Sequence, residues 1–142
     1  ALYNRGGEQP GARYFSEAEL PEILNDVLTD CEVAGELEYR VYSTEGIRDR
    51  LYANFPTFSD VRVGKGIGVR VISLGAGGSL RGLDERKWLA VPQTKPTYII
   101  LYPGKAAYIS FNTAGQAVGV VIANDGVAAT QIALFDALWK TL

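Results

Sequence analysis

Residues 97–112 read TYIILYPGKAAYISFN. An isoleucine- and tyrosine-rich run, a Pro-Gly-Lys break and a second apolar run spell a β-hairpin with a short turn. Another turn at residues 113–116 leads into VGVVIA (118–123), a third consecutive strand, so this half of the chain is a meander. Asn124 or Asp125 then caps a final helix, in which Ala128, Ile132, Phe135, Leu138, Trp139 and Leu142 recur on one face.

Upstream of the hairpin, strand and helix patterns alternate. ARYF (12–15) reads as a short strand, and Ser16 with Glu19 has capping-box spacing. Leu20, Ile23, Leu24, Val27 and Leu28 follow at helical spacing, with Pro21 suited to the first turn, where the regular helix is expected to begin. LEYRVY (37–42) alternates as a strand. Ser43 or Thr44 caps a second helix carrying Ile47, Leu51 and Tyr52, which Phe55-Pro56 ends. Residues 57–66 are open between a helical turn and a loop, and GVRVISL (68–74) is a buried strand. The order β-α-β-α-β-loop-β-β-β-α predicts an α/β (α+β) fold with a single mixed sheet flanked by helices. The first ten residues, ALYNRGGEQP, are aperiodic and read as a linker or ragged terminus, leaving 11–142 as one domain.

Composition narrows the function. The 142 residues are 47% apolar and 21% charged, enough to bury a core. A net charge of −2 argues against a whole-surface nucleic-acid binder, which needs clustered basic charge. The chain has no histidine, which removes the commonest general base and metal ligand, and with them Ser-His-Asp and Cys-His catalysis. No metal site and no cofactor is expected. The single cysteine, Cys31, cannot form an internal disulfide, and no apolar run approaches the roughly 20 residues of a membrane span. A cytoplasmic setting without membrane contact is the expectation. The absence of methionine suggests a fragment or processed product.

The stretch ISLGAGGSLRGLDERKW (72–88) poses the question of a phosphate loop. GAGGSLRG lacks the Gly-Lys-Ser/Thr ending of a P-loop, and Gly64–Gly68 precedes its strand where a dinucleotide fingerprint would follow one. A flexible strand exit is the better reading, with Arg81, Arg86 and Lys87 placed to close on an anionic effector. Arg62, Lys65 and Arg70 span a turn into a strand, and Arg70 is a further candidate effector contact. Asp84 and Glu85 suggest an acid-base pair, but adjacent positions face opposite ways, and a solvated charged turn or helix start is the simpler reading. Tyr98, Tyr102, Tyr108 and Phe111 fit routine cross-strand packing. Phe135, Leu138, Trp139 and Leu142 are divided evenly between the protein's own core and a subunit interface.

The runs RYFSEAELPEILNDVL, YRVYSTEGIRDRLYANFP, GIGVRVIS, TYIILYPGKAAYISF and VGVVIANDGVAATQIALFDALWKTL together resemble the C-terminal domain of TrmB-like transcriptional regulators. The resemblance covers nearly everything from Arg13 onward and rests on patterned apolar positions plus Asn124, Thr130, Gln131, Phe135 and Trp139. It implies one half of a phospholipase-D-like fold, with an N-terminal winged helix-turn-helix, absent from this chain, as the only DNA-binding part. It also implies a homodimer and a small polar effector such as a sugar. The enzyme superfamily of that fold needs a nucleophilic histidine, so no catalytic residue is carried over. Two other readings stand beside this one: a small hydrolase using Asp84 and Glu85, and a pure protein-interaction module.

Overall fold

The computed structural model describes residues 11–76, 78–92 and 95–142. The expected linker at 1–10 lies outside the described residues. The meander appears as expected: β5 (Thr97–Tyr102), β6 (Lys105–Phe111) and β7 (Ala117–Ala123) are antiparallel neighbours. Tyr102 faces Lys105 across a two-residue turn. Pro103 and Gly104 fill it because proline presets the first turn position and Gly104 supplies a φ of 72° at the second.

The other strands join this meander in one sheet ordered β1-β7-β6-β5-β2-β3-β4. Here β1 is Gly11–Phe15, β2 is Glu38–Ser43, β3 is Gly68–Leu74 and β4 is Asp84–Leu89. β2 runs parallel to β3, and β3 to β4; the remaining pairings are antiparallel. The mixed α+β class matches the expectation. The element order needs two corrections. The charged turn or helix start anticipated at Asp84 and Glu85 is strand β4, paired in register with β3. The ambiguous segment at 57–66 holds a short helix.

Side chains alternate across the sheet and divide the apolar interior in two. Tyr39, Val41, Val69, Val71, Tyr98 and Ile100 face one side, under α1 (Leu20–Ala34), α2 (Glu45–Tyr52) and α3 (Phe58–Gly64). Ile72, Leu101 and Ala106 face the other side, under α4 (Asp125–Trp139), where Phe135 and Trp139 complete a second core. Asn124 caps α4, its side-chain oxygen accepting from the Val127 N–H at 2.9 Å. Pro21 sits in the first turn of α1, which begins one residue earlier than expected, after a 3-10 turn at Glu17–Glu19. Among the described residues no helix is long and apolar enough to cross a membrane.

Glu17 straps three elements together. Its carboxylate accepts from Arg50 of α2 at 2.6 and 3.0 Å and from the Ala117 N–H at the start of β7 at 2.8 Å. The Arg50 hydrogen bonds, then the Ala117 N–H, hold the Glu17 carboxyl below its usual range. A carboxyl whose folded pKa is depressed adds stability above its unfolded pKa and loses it as pH falls through the folded value. Acid titration of folding should therefore show Glu17→Gln losing less stability than the parent between pH 5 and the acid limb. Parallel curves for the two proteins would remove the strap from this account.

Candidate functional site

The ends of β2 and β3 place Ser43 and Ser73 side by side as cross-strand partners, both buried. Each hydroxyl accepts from a different arginine. Arg48 Nε, from the second turn of α2, donates to Ser43 Oγ at 3.2 Å. An Arg86 terminal nitrogen, from β4, donates to Ser73 Oγ at 2.5 Å. Beside them Tyr52 and Tyr98 share a hydroxyl–hydroxyl hydrogen bond of 2.9 Å. α2 enters this corner because Thr44 Oγ1 donates to the Thr97 carbonyl, tying the helix start to the start of β5.

Arg48, Arg86, Tyr52 and Tyr98 line a cavity of about 320 Å³ between the sheet and α2 and α3, at the small end of the range for ligand pockets. Val41, Val69, Val71 and Phe58 supply apolar wall, and Ser79 and Arg81 of the glycine-rich segment close one side. That segment is fastened at its far end. The Asp84 carboxylate accepts from the Arg81 and Gly82 N–H groups at 2.9–3.1 Å, and Arg62 donates to the Gly82 carbonyl at 2.9 Å. Nearer β3, Gly78 passes so close to Arg86 that a Cβ there would lie 2.5 Å from a guanidinium nitrogen; its φ of 89° also excludes ordinary side chains.

The electrostatics suit binding better than catalysis. Burial raises the phenol pKa of Tyr39, Tyr52 and Tyr98, keeping all three protonated at neutral pH. Burial, then repulsion from Arg48, lowers the pKa of Arg86. Burial pushes the Cys31 thiol up to about 12, leaving it inert as a nucleophile. Asp84 is engaged by backbone N–H groups, and Glu85 lies on the opposite side of β4, so the two carboxylates do not meet. Among the described residues no cluster of His, Cys, Asp or Glu could hold a metal ion.

The four anticipated effector contacts fall on opposite faces of the sheet. Arg81 and Arg86 line the cavity. Arg70 and Lys87 lie on the α4 side: Arg70 pairs with Glu38 at 3.3 Å, and Lys87 Nζ donates to the Trp139 carbonyl at 2.9 Å, both cations lying over the Trp139 ring. One small ligand cannot touch all four. Of the helix stripe, Phe135 and Trp139 stack on each other inside the second core, Leu138 is half-buried and Leu142 is exposed. Sequence reasoning passed over Arg48, Ser43 and Ser73. The one available signal was the Arg48–Tyr52 spacing, which puts a cation and an aromatic on one flank of α2 beside the Ile47–Leu51 face.

No family model matches the chain, and no curated protein matches it. The fold does resemble solved structures. TrmBL2, an archaeal chromatin protein with a novel mode of DNA binding, superposes with a TM-score of 0.57 at 12% identity over 94% of this chain and 53% of that one. NucT from Helicobacter pylori superposes with a TM-score of 0.55 at 10% identity, covering 93% of this chain and 97% of that one. The chain thus spans about half the length of the TrmBL2 chain. At these identities the likeness is one of fold.

Proposed function

We propose that this chain is a non-enzymatic sensor and dimerisation domain of a transcriptional regulator, and that a small polar effector bound in the Arg48–Arg86 cavity controls a DNA-binding part elsewhere in the protein. The cavity carries this reading: it gathers polar donors over apolar wall, its phenols stay protonated, and of its two carboxylates Asp84 is held by backbone N–H groups and Asp49 is exposed. The fold likeness to TrmBL2 supports a regulatory setting, and the absence of histidine disfavours hydrolysis by a histidine nucleophile. Arg81 and Arg86 are the effector contacts retained from the sequence, with Arg48 added; Arg70 and Lys87 would act only indirectly, through the Trp139 side of the sheet.

The dimer would form through the outer flank of α4 and the turn after it, where exposed Leu134, half-buried Leu138 and, beyond the helix end, exposed Leu142 recur every four residues. A self-complementary stripe of this kind pairs with its own copy across a two-fold axis. Light scattering at tens of micromolar should give a dimer for the parent and a monomer for Leu134→Glu. A monomeric parent would remove the dimer from the proposal. Effector control also requires that ligand favour one conformation over another, so a bound ligand that leaves dimerisation and the melting curve unchanged would count against sensing.

A further inference from the structure

Six of the thirteen described cations pair with a carboxylate. Arg13, Arg40, Arg50, Lys65, Arg70 and Lys105 each lie within 3.3 Å of a carboxylate oxygen. Arg62 is buried and donates to three backbone carbonyls. Arg48 and Arg86 differ. They are gathered side by side on adjacent hydroxyls, and among the described residues neither has a carboxylate within ion-pair distance. Two partly buried like charges this close repel one another, and Asp84, engaged by backbone N–H groups, offsets that at Arg86 only in part.

We propose that the cavity is built for an oxyanion, a carboxylate or phosphate carried on a small apolar body, with the anion held between the Arg48 and Arg86 guanidiniums. The proposal rests on the reading of the cavity as an effector site and names the chemical class of the effector. Each arginine commits one nitrogen to a serine, leaving the rest of its fork for the ligand, and the buried Arg86 Nε has no partner at all. A guanidinium fork matches the paired oxygens of either oxyanion. The carboxylates nearby do not compete: Asp84 is taken by two N–H groups, and Asp49 is exposed. Val69, Val71 and Phe58 favour an apolar or aromatic body, and the Tyr52–Tyr98 hydroxyl pair offers a donor to its polar edge. At about 320 Å³ the cavity admits a ring-sized molecule and excludes a polymer.

Calorimetric titration of the full chain with benzoate, phenyl phosphate, inorganic phosphate, phenol and glucose tests this. Benzoate or phenyl phosphate should bind, more weakly at high salt, and phenol and glucose should not; the stronger of the two anions identifies the acid group. Arg48→Gln and Arg86→Gln should each weaken that binding tenfold or more, while Arg13→Gln, on the outer surface, should leave it unchanged. Without ligand, both cavity variants should melt at or above the parent temperature, because each removes one of two repelling charges; a purely structural arginine would lower it. Phenol or glucose binding as tightly as the anions, or unchanged anion affinity in both variants, overturns the oxyanion proposal and leaves the effector site standing. No binding by any of the five probes overturns both.

Discussion

Phe135→Ala is expected to destabilise folding by about 3–5 kcal/mol, the cost of deleting a fully buried aromatic ring and leaving most of its volume empty. The ring is completely buried, stacks on Trp139 with centroids 5.8 Å apart and meets Tyr42 edge-on at 5.1 Å. It shares the second core with Ile72, Leu101, Ala106 and Trp139, where α4 packs on the sheet. Chemical denaturation should show the loss at every protein concentration. A deficit that disappears as concentration rises would instead place Phe135 in a subunit interface, the other half of the even division made from sequence.

Arg62→Met should cost about 2–4 kcal/mol, although it keeps most of the side-chain volume. Arg62 is 2% exposed, and its guanidinium donates to the carbonyls of Ile67 at 2.8 Å, Gly82 at 2.9 Å and Leu83 at 3.4 Å. Methionine offers these carbonyls nothing; Leu83 keeps its bond from the Val69 N–H, while the Ile67 and Gly82 carbonyls lose their arginine donor and must be resolvated or left unpaired. The effect should also be directional. Gly82 and Leu83 lead into β4, so amide exchange should accelerate first in β4 and the segment before it, ahead of the meander. Uniform exchange, or a loss under about 0.5 kcal/mol, would mean that water serves those carbonyls well.

The meander, the long helices and the two-sided burial could be taken from the sequence because each depends on neighbours a few residues away. Ile99 and Ile100 alternate, Asn124 caps, and Leu24 and Leu28 lie a turn apart whatever the rest of the chain does. β4 escaped because DERKWL carries no β-branched residue and its charges imitate a surface turn. In the fold its alternate residues serve two environments, Asp84 and Arg86 toward the cavity, Lys87 and Leu89 toward α4. The cavity could not be found for a different reason. Arg48, Arg86 and Tyr98 come from a helix, an edge strand and the central hairpin, and only the pairing of β3 with β4 on one side and β2 on the other, with β2 against β5, brings them together.

The order of the strands also has a kinetic consequence. β1 pairs only with β7, Gly11 opposite Ala123, so this strand has no partner until nearly the whole domain has been made. The β5–β6 hairpin can close within microseconds, but β1 must wait through a loop closure of about a hundred residues. Refolding should therefore be slow for a domain of this size, with β1 an unpaired edge in any intermediate and open to pairing with another chain.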